Sequence, residues 1–134
     1  MASRKDDAVT VFGRNASTGK LTFLAVHKGA DVGVDGLNGA RAVAVNPDGS
    51  QVYVASQYDD ALAVFGRDES TGELTFLEVH KDTDVGVDGL DTADGLAVSP
   101  DGGHVYVGGY DDNAVVVFRR RVTVYLPVVL RDSL

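Results

Sequence analysis

A chain of 134 residues with 44% apolar content suffices for one ordinary domain and packs a core rather than staying disordered. It has no cysteine, which excludes disulfides and thiolate metal sites and leaves the redox compartment open. With 20 acidic against 12 basic residues the net charge is −8, which argues against the basic surface that nucleic acids and anionic membranes require.

No apolar run approaches the roughly 18 residues needed to span a bilayer. The opening MASRKDDAV carries charge but no apolar stretch, so no secretory signal is read there. The expectation is a cytoplasmic protein, or a piece of something whose signal lies elsewhere.

Asp6–Phe65 nearly returns as Asp59–Phe118, every pair at one offset (59 − 6 = 53) without a gap. A fixed period of this order means stacked or radial structural units. In chain order, Val9–Arg14 and Leu21–His27 match the third and fourth strands of a unit. Arg41–Asn46 is predicted as a first strand, closed by the turn Pro47-Asp48-Gly49-Ser50, where Pro presets φ and Gly takes a positive one. Gln51–Ser56, Ala61–Arg67 and Leu74–His80 follow as second, third and fourth strands, separated by polar turns at Gln57–Asp60 and Asp68–Glu73. A longer loop, Lys81–Ala93, leads to strands at 94–99, 104–109 and 113–118.

The domain expectation is a single repeat region over 1–134: a partial blade at 6–40, a complete blade at 41–93 and a second blade at 94–130. In the last, Val122–Leu130 substitutes for the fourth strand, with Pro127 at an outer edge. Leu74 and Phe76 are expected on one face, Leu77 and Val79 on the other. Sheets apolar on both faces need like neighbours on both sides, and radial stacking of four-stranded antiparallel blades supplies them. The predicted fold is therefore all-β, a β-propeller of about two blades plus a half-blade. Ala42, Ala44, Gly95 and Ala97 are read as small residues where blades crowd at the axis.

Asn46-Pro47-Asp48-Gly49 with Val52-Tyr53-Val54, and Ser99-Pro100-Asp101-Gly102 with Val105-Tyr106-Val107, resemble the "SPDG…VYV" hairpin of lactonase-type (YVTN-like) β-propellers. Val64-Phe65-Gly66-Arg67 with Ser70-Thr71-Gly72-Glu73-Leu74 is similar to the "VF…TG.L" turn of the same group. The resemblance covers Asp6–Phe118. It implies blades of the kind that form seven-bladed discs, some of which open lactone rings, including bacterial 6-phosphogluconolactonases.

An open arc leaves apolar faces and sheet edges bare, and no polar capping unit is visible. Ring closure by about three or four copies is one expectation; a place within a larger propeller is the other. The partner expected is thus a homo-oligomer, without nucleic acid or membrane.

No catalytic, cofactor-binding or metal residue is assigned. Asp31, Asp35, Asp59, Asp60, Asp84, Asp88, Asp111 and Asp112 form an acidic loop set that could hold calcium. Asp beside Gly more often caps a turn, and no EF-hand or nonapeptide spacing is present. His27 and His80, at the ends of outermost strands, are read as solvated surface, as is His104; Tyr53 and Tyr106 are read as packing residues with wet hydroxyls. Ser17 and Ser70 sit in turns without an adjacent base, Asn15-Ala16-Ser17 fits a glycosylation pattern, and Arg119–Arg121 is too short for a nucleic-acid patch. The residues point first to a non-catalytic binding or scaffold module. The alternative, which the resemblance implies, is a lactone hydrolase active only as a complete propeller.

Overall fold

The computed structural model describes residues 1–120, and every regular element among them is a strand. β1 (Ala2–Ser3), β2 (Ala8–Arg14) and β3 (Leu21–Lys28) form a first antiparallel blade. β4 (Ala40–Val45), β5 (Gln51–Ser56), β6 (Ala61–Arg67) and β7 (Leu74–Lys81) form a second. β8 (Ala93–Val98), β9 (His104–Gly109) and β10 (Ala114–Arg119) form a third. Strands neighbour one another in chain order, as their tight turns dictate. The all-β propeller architecture stands. The predicted strand at Val122–Leu130, with Pro127, lies outside the described residues. Among the described residues no helix is long and apolar enough to cross a membrane.

The two cores sit between blades. Val52 and Val54 enter the core shared with the first blade, where Val9, Phe65 and Leu74 meet. Tyr53 and Ala55 enter the core shared with the third, where Leu62, Val64 and Val107 meet. The period-two pattern of β5 thus feeds both sides, which makes the second blade a wedge between its neighbours. The innermost strands β4 and β8 lie side by side. Crowding does not explain Gly95, because a Cβ there meets nothing within 4 Å.

A bulge corrects one expectation. Val64 pairs with Glu78 and Phe65 with Phe76, so Leu77 is an extra residue on β7. Beyond it the alternation resets. Val79 pairs with Ala63 and turns toward the same core as Phe76, instead of sharing a face with Leu77. Leu77 lies over Gly66, whose missing Cβ would stand 3.5 Å from Leu77 Cδ1. The first blade repeats the arrangement, with its register shift between Val11 and Phe12 and Leu24 over Gly13.

β1 was not foreseen, since MASRK shows no apolar alternation. It pairs Ala2 with Val9 and Ser3 with Ala8, taking the place beside β2 that β5 holds beside β6. The Met1 amino group donates to Thr10 O at 2.8 Å, and Thr10 N–H donates to Met1 O at 2.8 Å.

Polar links stitch the blades at both ends. At the turn end, Arg120 of the third blade donates to three acceptors of the second: Gln51 Oε1 (3.1 Å), Asp48 Oδ2 (3.0 Å) and Ser50 Oγ (2.8 Å). Bonds from the Ser50 hydroxyl and N–H, with Arg120 adding to them, hold the Asp48 carboxyl down at about 2. Asn46 is buried and donates from Nδ2 to Tyr53 Oη (3.0 Å) and to Gly102 O (3.2 Å). Tyr53 is 3% exposed and its hydroxyl donates to Gln51 Oε1 at 2.8 Å, so the hydroxyl expected to be wet is held inside this network. At the loop end, Asp7 and Asp60 take positive φ (52° and 50°) and turn their carboxylates to the next blade. Asp7 Oδ1 accepts from Gly39 N–H and Asp60 Oδ1 from Thr92 N–H, both at 2.8 Å.

Candidate functional site

The loops 29–39 and 82–92 and the turns 57–60 and 110–113 meet at one end of the blades, the end where the Asp7 and Asp60 links lie. Most carboxylates predicted there are engaged with backbone. Asp59 Oδ2 accepts from Asn38 N–H (3.0 Å), Asp31 Oδ2 from Lys28 N–H (2.9 Å) and Asp84 Oδ2 from Lys81 N–H (2.9 Å). Asp35 Oδ1 stands 3.1 Å from Lys81 Nζ across a blade junction, which raises the Lys81 pKa above its ordinary value. These are the turn-capping roles that Asp beside Gly suggests.

The junction of the second and third blades is different. Carboxylate oxygens of Asp82, Asp88 and Asp112 lie within 4.8 Å of one another. Asp82 Oδ1 accepts from Leu90 N–H (2.9 Å), Asp112 Oδ2 from Asp91 N–H (3.2 Å) and Asp111 Oδ2 from the Thr92 hydroxyl (2.6 Å). The Asp91 carboxyl is pushed above its ordinary value, first by desolvation and then by the charges of Asp60, Asp111 and Asp112. Such an oxygen set suits a hard cation. A carboxyl with raised proton affinity suits general-base work. Of the predicted acids, Asp88, Asp111 and Asp112 gather here, with Asp60 at the edge.

Sequence reasoning missed Asp82 and Asp91. Their signal was a departure from the repeat: Gly29 and Asn38 stand at the same places one unit earlier (29 + 53 = 82; 38 + 53 = 91). Asp91→Asn restores the earlier unit's residue. A carboxyl whose folded pKa is raised destabilises the fold above that pKa, so this substitution is expected to raise the melting temperature at pH 7. The gain should vanish at pH 3, where Asp91 is protonated anyway. Equal gains at both pH values would contradict this electrostatic cause.

The other candidates are structural. His27 and His80 are half-buried rather than solvated, because each reaches across to the third strand of the next blade. Their ring centroids lie 5.8 Å from Phe65 and 5.0 Å from Phe118. His80 Nε2 also stands 3.0 Å from Glu78 Oε2. His104 is half-buried and stacks on Tyr106 at 6.4 Å. The Ser17 hydroxyl donates to Asn15 Oδ1 (2.8 Å) and the Ser70 hydroxyl to Asp68 Oδ1 (2.6 Å). The Ser70 bond is the main reason the Asp68 carboxyl sits at about 2. Arg119 is exposed, Arg120 forms the clamp above, and Arg121 lies outside the described residues.

With blades, turns and loop face in view, comparison adds the relationship. The family model described as "Lactonase, 7-bladed beta-propeller" matches residues 5–125. The chain belongs to this lactonase family. Among solved structures, this lactonase-family chain is similar to the periplasmic gluconolactonase of Pseudomonas aeruginosa, with 28% identity and a TM-score of 0.69 over 87% of this chain and 30% of that one. Two putative 6-phosphogluconolactonases share the fold. That of Bacteroides fragilis is 24% identical (TM-score 0.67, 88% of this chain, 30% of that one). That of Bacteroides uniformis is 20% identical (TM-score 0.70, 89% of this chain, 32% of that one). The lactonase-family chain therefore spans about a third of the length of these relatives. No curated protein matches it.

Proposed function

We propose that the chain contributes blades to a lactone-hydrolysing propeller, the reading that residue patterns alone ranked second. The observation that carries it is the lactonase family match over residues 5–125; the similarity to a gluconolactonase at 28% identity supports it. The substrate class is a sugar lactone of the gluconolactone kind. Water attacks the ring carbonyl carbon, the ring C–O bond breaks, and the departing oxygen takes a proton to leave an open aldonic acid. Asp91, with its raised proton affinity, is the candidate to accept the proton of the attacking water, beside the Asp82–Asp88–Asp112 set. Hydrolysis belongs to the complete disc, since the chain spans 30% to 32% of its relatives.

Fractions in which the chain is part of a closed disc should release acid from gluconolactone or 6-phosphogluconolactone faster than buffer in a pH-stat, and Asp91→Asn should abolish the excess. A rate equal to buffer from the closed disc defeats the reading. A binding or scaffold role is favoured by one observation: Asp7, Asp59 and Asp60 are already committed to backbone N–H groups. Lactone binding without turnover would support it.

A further inference from the structure

The two ends of the arc carry the same kinds of surface that meet inside it. Within the chain, β6 of the second blade turns Leu62 and Val64 toward the third blade, where they are 2% and 5% exposed. One unit later, Val115 and Val117 occupy those places on β10 (62 + 53 = 115; 64 + 53 = 117) and are 71% and 58% exposed. The opposite face of the second blade buries Phe65 completely and leaves Leu74 8% exposed, against the first blade. One unit earlier, Phe12 and Leu21 are 41% and 62% exposed, with Phe23 beside them in an edge-to-face pair with Phe12 at 6.1 Å.

We propose that a second copy of this chain docks head to tail, its Val115–Val117 face covering the Phe12–Phe23 face of the first. The partner is specified because the interior junctions already display both halves of the contact. Residues at the Leu62 and Val64 places meet residues at the Phe65 and Leu74 places, and the first and third blades each offer one half. Charge agrees with this register. Arg120 clamps the preceding blade through Asp48; Arg14 stands two units before Arg120 (120 − 106 = 14) and Asp101 one unit after Asp48 (48 + 53 = 101), so the equivalent pair across the docked copies is Arg14 of one with Asp101 of the other. Arg14 is at the leading end and exposed, and Asp101 is exposed on the blade at the trailing end. The two further acceptors of Arg120, Ser50 and Gln51, become Gly103 and His104, so only the carboxylate contact recurs. A contact of this kind is heterologous, using two different surfaces, and it closes a ring or extends a filament. It stands whether or not the assembly hydrolyses lactones.

Light scattering on the whole chain at micromolar concentration should give a multiple of 14.1 kDa. A monomer mass overturns the proposal and leaves other propeller blades as the occupant. Phe23→Asp removes the leading face and Val117→Asp the trailing face. Both positions are exposed, so both variants should keep the far-ultraviolet dichroism of the parent. Each alone should be monomeric, with self-affinity reduced at least roughly 30-fold. Mixed in equal amounts, they should form a two-copy complex and nothing larger, because only one intact face of each kind remains. Self-association of either variant at parental strength, or no complex in the mixture, overturns head-to-tail docking. Arg14→Asp should weaken association about 3- to 10-fold, and adding Asp101→Arg in the same chain should restore it. Failure to restore it overturns the register.

Discussion

Phe65→Ala is expected to lower the unfolding free energy by about 3–5 kcal/mol, while Phe12→Ala one unit earlier should cost under about 1 kcal/mol in dilute solution. Both are phenylalanines at one place in the repeat, on third strands, each paired with a phenylalanine of the fourth strand. They differ in what lies across the gap. Phe65 is wholly buried, edge-on to Phe76 at 5.6 Å and with His27 of the first blade at 5.8 Å. Truncating it opens a hole between blades whose backbones are linked by Asp7, so the site collapses poorly. Phe12 keeps 41% of its surface in water. Against a total of roughly 5–15 kcal/mol for a domain, the first loss is a large fraction. Urea melts of both variants check it. Equal losses would mean that stability resides within sheets rather than between them.

That contrast also shows what could be read from residues alone. The 53-residue offset, the Pro-Asp-Gly turns and the doubly apolar strands were sufficient for strand number, order and radial stacking, because each is a local signal repeated in register. The bulge at Leu77 was not legible. It sets Leu77 over Gly66, a cross-strand relation that leaves no mark on the alternation of either strand. Nor was β1, whose place is set by β2's open edge and not by its own composition. His27 and His80 were misjudged because outermost strands were equated with solvent. Blade stacking places the ends of those strands against the next blade. The acidic cluster was half visible: residues shared by both units were noticed, while Asp82 and Asp91, where the units differ, carry its sharpest chemistry.

A second large effect is expected where the units differ for a steric reason. Ser56 ends β5 and Gly109 ends β9, one unit apart (56 + 53 = 109). Ser56 is fully buried and its hydroxyl finds no hydrogen-bond partner, so serine is tolerated there without being needed. At Gly109 a Cβ would fall on the carbonyl oxygen of Gly89, with Asp91 O a further 3.3 Å neighbour. Those are backbone atoms, which cannot rotate aside as a side chain would. Gly109→Ser is therefore expected to cost about 3 kcal/mol or more, at the upper end of overpacking effects. Ser56→Gly should cost no more than about 1 kcal/mol, mainly chain entropy.

The damage at Gly109 also reaches chemistry, since Gly89 lies between Asp88 and Asp91. A displaced Gly89 carries both carboxylates with it, so any lactone hydrolysis should fall further than the loss of folded protein explains. Thermal melts of the two reciprocal variants, with hydrolysis measured per folded molecule, test both statements. If Gly109→Ser melted with the parent, the loop 82–92 would have to be free to move off the strand, and Asp91 could not be held among its acidic neighbours.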